Sequence, residues 1–427
     1  MNRLNLIERV AFIIITFHAT TIFYKELGSP IGMPYGRELL AMVTLAFTFV
    51  VYLPWRVRNN AMMPIEIHLL GLTLFCWIIP GIFAYLYYGQ PIYFGMIEER
   101  RVLSMLGVFP LIFLALTKSV TTEDLVRYLL YSGVACMAVI WFMFATSDGS
   151  RVTPEGKVIT KEELEAMGMR TSRIYVGSKF ICQSTVFAAV LFRHRKQNIW
   201  LVYIGAVLLT QFFACQGRTL FGVSFLFVAL ITFRSPRMYQ ILAVGAFAGF
   251  VTLLFFWSKL QAQIEGFLAI AMQYQKVASV QNMATDVRSH SLLVVYTTLE
   301  DNNYFGVGSL SLMWRNGFHR LYGQTFYISD LGFPATFMRF GMFLGISYML
   351  YLVWLCSFVW RKLPPKTEVR EMVFYGFLFL FTLFPTQAFE FIFDNFAVVF
   401  FIAIYGRIEH LRTINKNRMN KLQKSSK

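Results

Sequence analysis

The chain of 427 residues is 57% hydrophobic and 17% aromatic, only 15% of its residues are charged, and its formal net charge is +16. Soluble domains carry about 25% charged residues, so the composition excludes an ordinary soluble protein and indicates an integral membrane protein. A spanning helix needs about twenty apolar residues to cross a hydrocarbon core of about 30 Å, because a helix satisfies its own backbone groups there.

Apolar runs of helical length recur along the whole sequence and predict about twelve transmembrane helices. The first run follows a short basic N-terminus and lacks a small-residue cleavage site, so we interpret it as a retained span. The predicted spans are residues 11–24, 39–54, 68–88, 102–116, 128–144, 180–192, 200–214, 219–233, 239–257, 340–360, 373–385 and 391–405. The predicted fold class is all-α, a polytopic membrane protein in which residues 1–427 form a single transmembrane domain.

The distribution of charge predicts the orientation, because Lys and Arg accumulate in cytoplasmic loops. With both termini in the cytoplasm, the inner segments hold 22 Lys and Arg against 7 Asp and Glu, so they carry nearly all of the +16. These segments are residues 1–9, 55–66, 118–127, 193–197, 234–237, 361–371 and 406–427. The basic tail 407–427 is a cytoplasmic end attracted to anionic headgroups. Because this bias explains the charge, we expect no nucleic-acid partner.

Two predicted outer loops are much longer than the others. The loop 146–179 contains the helix-compatible run KEELEAMGMR, and the large periplasmic loop 258–339 contains two predicted helices, 260–276 and 288–299. Long loops in a compact fold are usually functional or disordered, and the apolar and aromatic content of the large loop argues against disorder. We therefore expect functional residues in these outer loops.

Familiar soluble-enzyme motifs are missing from the sequence. The five cysteines are scattered singly through apolar stretches, which is typical of small buried hydrophobic residues, and no Gly-rich phosphate loop or paired metal-ligand spacing occurs. No cofactor and no metal site are predicted.

Arginines near the outer ends of spans are the first candidates for chemistry. Arg218 lies between two apolar spans, where a guanidinium is costly unless it is used or paired, or snorkels to the interface. Arg288 opens a predicted helix, and Arg170 and Arg173 precede the sixth span; each is also compatible with a solvated or ion-paired loop arginine. In the run EERR, residues 98–101, pairing within the run is favoured. Converging arginines would suit a lipid diphosphate, because the guanidinium binds phosphate oxygens bidentately.

Four segments together resemble the O-antigen ligases and the O-antigen and exopolysaccharide polymerases, which act on polyprenyl-diphosphate-linked glycans outside the bacterial inner membrane. The segments are SRIYVGSKFICQSTVFAAVL (172–191), CQGRTLFGVSFLF (215–227), DVRSHSLLVVYTTLEDNNYFGVGS (286–309) and SDLGFPATFMRFGMFLG (329–345). Each motif is weak alone, and their order and spacing carry the resemblance. The span count and loop layout extend it to the whole chain.

The resemblance implies a role for five residues. Arg218 and Arg288 would hold the diphosphate of the lipid donor, with Arg173 as a third contact. Gly306 and Gly308 would let the backbone pass close to a sugar or to another loop. A glycan acceptor, membrane lipids and a chain-length regulator are the further partners that such an enzyme would have.

The candidate for the catalytic base is Asp330 or His319. In the ligases a His-Asn pair lies about eleven residues before the glycine of the final re-entry helix, and counting back from Gly341 reaches Asp330 followed by Leu331. This departure favours a polymerase over a ligase. His319 and His290 lie in the same loop, although a lone loop histidine is more often structural.

The expected reaction is a metal-independent, inverting glycosyl transfer at the outer surface of the inner membrane. A sugar C1 on a diphosphate is already activated, so the protein must hold the leaving charge and accept a proton from the incoming hydroxyl. A transporter or lipid-glycan flippase remains an alternative, since Glu390 and Asp394 lie near the last span, where they could instead pair with the arginines. Another membrane enzyme, such as an acyl transferase, also remains open.

Overall fold

The computed structural model is helical throughout the part of the chain that it describes, apart from one short strand pair. The described residues are 4–20, 36–59, 61–118, 120–147, 151–152, 158–166, 174, 176–232, 287–323, 326, 328, 331–384 and 393–425. The strands β1 (Arg151–Val152) and β2 (Val158–Ile159) are antiparallel, with Arg151 opposite Ile159. The all-α prediction is therefore confirmed for these residues.

Sixteen α-helices follow one another in this part of the chain. They are α1 (Leu6–Ala19), α2 (Gly36–Ala46), α3 (Leu53–Arg58), α4 (Pro64–Tyr88), α5 (Ile92–Glu98), α6 (Val108–Lys118), α7 (Thr122–Thr146), α8 (Lys161–Ala166), α9 (Ser178–Arg195), α10 (Ile199–Thr210), α11 (Arg218–Thr232), α12 (Val287–Asp301), α13 (Gly317–Tyr322), α14 (Phe333–Arg361), α15 (Glu368–Phe381) and α16 (Phe393–Ser425). Two π-helical segments, Phe47–Tyr52 and Gln211–Cys215, and a 3-10 helix, Glu99–Gly107, continue some of these helices without a break.

Five continuous helices in the described residues are long and apolar enough to cross a membrane. They are Leu39–Arg58, Pro64–Tyr88, Ile92–Lys118, Thr122–Thr146 and Phe333–Arg361, and the shorter helices Ile199–Cys215 and Thr219–Thr232 are also apolar. These helices are those of a membrane-embedded protein. The count of twelve spans stays a prediction, and the predicted span 239–257 lies outside the described residues.

Two helices form the centre of the bundle. In α9, the residues from Phe180 to Phe192 are buried, and in α16 so are those from Phe393 to Gly406. α9 packs against α7, α10, α11 and α15, and α16 packs against α15 and α6. Since lipid tails are as apolar as Leu, such helices associate by close side-chain packing, for which rings such as Phe377 and Phe400, 5.0 Å apart, supply large contact surfaces.

Ion pairs and hydrogen bonds join five of the predicted inner segments at one end of the bundle. Each of these contacts involves a basic group or a carboxylate. The contacts are Lys118 with Glu8 at 2.6 Å, Arg195 with Glu123 and with Glu368 at 2.7 Å each, Arg193 with Glu371 at 3.1 Å, the Thr122 backbone N–H with Glu409 at 3.0 Å, and Arg407 with the Lys362 carbonyl at 2.9 Å. We call this end of the bundle the basic end.

The described part of the large loop is folded against the opposite end. α12 agrees with the predicted helix 288–299, whereas the predicted helix 260–276 lies outside the described residues. Side chains of α12, α13 and the start of α14 form a separate apolar cluster around Phe318 and Phe326. The Tyr322 hydroxyl is 2.6 Å from that of Tyr88 in α4, and burial raises the pKa of Tyr322. The loop is thus attached to α4 through a pair of protonated phenols.

α14 begins at Phe333, seven residues before the predicted span 340–360, so Arg339 lies inside this helix and is buried. Gly341 interrupts α14 with φ +78° and ψ 166°, which is a conformation that favours glycine. The apolar sequence on both sides of Gly341 hides this kink, because hydropathy does not report backbone dihedral angles.

Candidate functional site

A short segment between α12 and α13 crosses the end of the bundle opposite the basic end. We call residues 304–309 the glycine strap. The strap pairs with the kink in α14: the Val307 N–H donates to the Met338 carbonyl at 2.8 Å, and the Met342 N–H donates to the Tyr304 carbonyl at 2.9 Å. In a regular helix Met342 would donate to Met338. The kink at Gly341 therefore frees one donor and one acceptor, and the strap satisfies both.

The two glycines of the strap lie where no side chain fits. A Cβ on Gly306 would lie 2.2 Å from the Gly341 nitrogen, and one on Gly308 would lie 2.2 Å from the Pro80 carbonyl oxygen. Gly308 also has φ +78°. The resemblance implied that these glycines let the backbone pass close to a sugar or to another loop, and that role stays a prediction. The close neighbours in the structure are two helices, α14 for Gly306 and α4 for Gly308. The Ser309 N–H adds a hydrogen bond to the Pro80 carbonyl at 3.0 Å.

Buried polar side chains form hydrogen bonds with the strap and with Ser311, which follows it. The Gln90 side chain donates to the Ser309 carbonyl at 2.9 Å and accepts from the Ser311 N–H at 2.8 Å. The Ser309 hydroxyl donates to the Glu99 carboxylate, which lies 3.0 Å from the Arg339 guanidinium of α14. A buried carboxylate is stable only when it is paired and hydrogen-bonded. Glu99 has both kinds of partner, and through them it links the strap (Ser309) to α14 (Arg339).

A second ion pair continues this arrangement toward α16. Arg101, on the same 3-10 helix as Glu99, lies 3.8 Å from the Asp394 carboxylate in the first turn of α16. Asn395 follows: its side-chain N–H donates to the Gln183 side-chain carbonyl in α9 at 3.2 Å, and its backbone carbonyl accepts from the Gln183 side-chain N–H at 3.1 Å. We call these two groups of side chains together the polar layer. Its members are Gln90, Gln183, Glu99, Arg101, Ser309, Arg339, Asp394 and Asn395.

The polar layer lies at the helix ends remote from the basic end. The helix that begins at Ile92 contains Glu99 near its start and Lys118 at its end. In α16, Asp394 lies in the first turn and Arg407 lies near the middle, more than three turns further along. Lys118 and Arg407 belong to the basic end. The bundle therefore has two different ends. At one end partly exposed ion pairs join helices, together with the buried Arg56–Glu66 pair at the start of α4, and at the other end buried ion pairs lie beneath the glycine strap.

Four of the predicted site residues have side chains outside the part of the chain that the structure describes. Arg218 is the first residue of α11 and Arg288 the second of α12, but their side chains lie outside the described part, as do all of Arg173 and Asp330. His319 is half-buried in α13, where its carbonyl accepts from the Gly323 N–H at 3.1 Å. The roles of these five residues stay predictions.

Sequence reasoning missed most of the polar layer. It favoured pairing within the run EERR and did not indicate the longer-range pairs, Glu99 with Arg339 and Arg101 with Asp394. Pairing of Asp394 with an arginine was one of the alternatives left open, and the structure places Arg101 opposite it; Glu390 lies outside the described residues. Charged residues within an apolar sequence are the signal that could have identified Glu99 and Arg339, because such residues are costly in a membrane unless they are used or paired.

The arrangement holds a loop at a constant position above a bundle end. Backbone hydrogen bonds attach the strap to two helices, and a hydrogen bond to the Glu99 carboxylate adds a third attachment. The strap therefore fixes this part of the large loop relative to the helices. Arg101 and Arg339 place two guanidinium groups in the same layer, each opposite a carboxylate.

Comparisons of the chain with protein-family models, with curated proteins and with solved structures found no match.

Proposed function

We propose that this protein is an O-antigen or exopolysaccharide polymerase of the bacterial inner membrane. It would join polyprenyl-diphosphate-linked oligosaccharide repeat units at the periplasmic face by metal-independent, inverting glycosyl transfer. Both termini are cytoplasmic in this proposal, the chain has about twelve spans, and the large loop is periplasmic.

The observation that carries the proposal is the glycine strap. Its sequence, Phe305 to Ser309, is the part of the large loop that resembles the Phe-Gly-Val-Gly phrase of the ligases and polymerases. Both glycines are required by close backbone contacts with α4 and α14, so this phrase is a structural element and not a chance string of residues. A strap that anchors the loop supports a reaction centre built from loop residues, because reacting groups must be held in a constant position.

The separation of the two bundle ends supports the orientation. Five of the predicted inner segments meet at the basic end, and the glycine strap is at the other end. Positive charge accumulates on the cytoplasmic side of membrane proteins. The loop would then face the compartment in which lipid-linked glycans are polymerised.

The reaction needs two protein functions. The acceptor hydroxyl oxygen forms a bond to C1 of the donor sugar, the bond between C1 and the diphosphate oxygen breaks, and its electron pair leaves with the diphosphate. Arg218, Arg288 and Arg173 hold that charge, and Asp330 or His319 takes the hydroxyl proton. Attack from the face opposite to the diphosphate inverts the anomeric centre.

The test is the length distribution of surface glycan in a deletion strain. Complementation with wild type restores long chains, and Arg218→Ala and Arg288→Ala each abolish them at matched membrane expression. Arg315→Gln is the control, since this exposed arginine lies over the Trp314 ring, 5.2 Å from its centroid, in the same loop. Long chains from both alanine variants would refute the assignment. Loss of activity of the purified protein in a chelator would refute the metal-independent mechanism.

The same strain separates a polymerase from a ligase by its product. A lipid A core capped with single repeat units means that a polymerase is missing. Uncapped core together with an intact lipid-linked polymer means that a ligase is missing. The departure at Asp330 favours the first outcome.

A transporter of lipid-linked glycans is the second candidate, and the buried ion pairs of the polar layer favour it. Charges inside membrane helices often mark permeation paths. The pairs Glu99 with Arg339 and Arg101 with Asp394 lie between packed helices and have little exposure. If the protein is a flippase, the deletion strain carries no surface glycan at all, not even the single units expected without a polymerase.

A further inference from the structure

The last two turns of α14 carry a groove with both apolar and basic walls. Trp354, Ser357, Phe358 and Arg361 are spaced at i, i+3, i+4 and i+7, so they share one face of the helix. With Lys362 they line a cavity of about 460 Å³. The groove extends over about 10 Å of helix axis, and its basic end is the helix terminus that belongs to the basic end of the bundle.

The apolar wall is a pair of stacked rings. The ring centroids of Trp354 and Phe358 are 5.4 Å apart with an interplanar angle of 23°, and Trp354 is 47% exposed. Aromatic side chains with one exposed face are enriched where the hydrocarbon core meets the headgroups. This wall is therefore better suited to contact the glycerol and the first acyl carbons of a lipid than to contact water.

The basic wall has two cations without a carboxylate partner among the described residues. Arg361 and Lys362 are exposed, and the Lys362 ammonium lies 5.5 Å from the Phe358 ring centroid. The nearby carboxylates are already engaged: Glu368 with Arg195, and Glu371 with Arg193. Both cations are thus available to an external anion.

α16 contacts the end of α14 that forms the groove. Arg407 of α16 donates to the Lys362 carbonyl at 2.9 Å, which adds a third positive charge beside the groove and constrains the end of α14. The C-terminal end of a helix carries about half a negative charge, which opposes anion binding. Two mobile cations at the groove outweigh that half charge, so the net field favours an anion.

We propose that this groove binds an anionic phospholipid of the membrane leaflet at the basic end. The phosphate lies between Arg361 and Lys362, the Ser357 hydroxyl is available to a headgroup or ester oxygen, and the glycerol and first acyl carbons lie on Trp354 and Phe358. The lipid, and not free phosphate, is the ligand because half of the groove is aromatic. This site is independent of the glycan reaction, since it lies at the other end of the bundle.

The test is native mass spectrometry of the whole purified protein in detergent with added phosphatidylglycerol or phosphatidylcholine. Wild type retains phosphatidylglycerol in preference to phosphatidylcholine. Since each cation near an anionic headgroup contributes a roughly fivefold gain, we expect Arg361→Gln with Lys362→Gln to weaken phosphatidylglycerol binding about 30-fold. The matched control is Arg315→Gln with Arg320→Gln, which removes two exposed cations from the large loop at the other end of the bundle, away from the aromatic wall.

Three results would overturn the proposal. Equal loss in both double variants means that the lipid responds only to overall charge. Equal retention of phosphatidylcholine by wild type means that the groove is an ordinary hydrocarbon contact. Displacement of the lipid by millimolar inorganic phosphate means that the groove prefers a free anion. If the Arg361 and Lys362 variant is poorly folded, Arg361→Lys keeps the charge and must retain the lipid; its failure to do so also counts against the site.

Discussion

The two ends of this bundle use the same side chains in opposite surroundings. At the basic end, Arg195 and Glu123 have side chains that are 17% and 50% exposed, whereas in the polar layer those of Arg339 and Glu99 are 5% and 3% exposed. Exposed ion pairs contribute about 0–1 kcal/mol, because water screens them. A buried pair brings little net stability, but removal of one partner costs about 3–5 kcal/mol. The partly exposed pairs of the basic end, such as Arg195 with Glu123, should therefore tolerate substitutions that the polar layer does not.

Glu99→Gln should produce the largest effect. The substitution leaves the buried Arg339 guanidinium without the carboxylate 3.0 Å away, and we expect the free energy of unfolding to fall by about 3–5 kcal/mol. Denaturant titration in mixed micelles measures the change. Glu99→Gln combined with Arg339→Met should recover much of the loss, since the second substitution removes the buried guanidinium charge. A double variant as unstable as the single one would contradict this explanation.

Gly308→Ala should have the next largest effect. The new Cβ would lie 2.2 Å from the Pro80 carbonyl oxygen, and φ is +78°, so overpacking and backbone strain together should cost about 3 kcal/mol. Gly323→Ala separates the two causes, because Gly323 has φ +89° but nothing within 4 Å of its Cβ position. This control carries only the backbone strain, about 1–3 kcal/mol, and should lose less than Gly308→Ala. Equal losses would show that the strap does not contact α4 as closely as described.

Ser309→Ala tests the hydroxyl that joins the strap to Glu99. Hydrogen bonds to charged groups contribute about 1.5–3 kcal/mol, so we expect a loss of about 2 kcal/mol, with a strap that is more easily cleaved by protease. Thr297→Ala serves as the control, since its exposed hydroxyl bonds only to carbonyls of its own helix. Limited proteolysis and the unfolding titration should agree that only Ser309→Ala loosens the strap.

Glu368→Gln should have the smallest effect. The hydrogen bond from Arg195 to Glu368 is the main cause that raises the pKa of Arg195, but this guanidinium remains charged and keeps its contact with Glu123. We expect a loss below about 1 kcal/mol that shrinks further in high salt. A loss as large as that of Glu99→Gln would remove the contrast between the two ends.

The helices were predictable because their signals are local. Predicted spans 68–88 and 128–144 lie within α4 and α7, and the predicted loop helix 288–299 lies within α12. Apolar length and helical phasing depend only on neighbouring residues, so they survive in any tertiary arrangement. The meeting of basic segments at one end was equally predictable, because it follows from alternation of the chain across the membrane.

The candidate site was predictable only in part. The close backbone approach at Gly306 and Gly308 was expected from a resemblance, whereas the involvement of Gln90 and Ser309 had no signal in the sequence. Glu99 and Arg339 are 240 residues apart, and nothing in the composition around either residue indicates the other. The roles of Arg218, Arg288, Arg173, Asp330 and His319 remain to be tested by the glycan-length experiment.

The sequence by itself determined that this is a helical membrane protein with its positive charge gathered in particular segments. Hydropathy and net charge are sums over short stretches, and the membrane responds to those sums directly. Only the tertiary structure decided that Glu99 pairs with Arg339, that α14 breaks at Gly341, and that the strap fills the break. These features depend on distances between remote segments and on single dihedral angles, and neither quantity is additive along the chain.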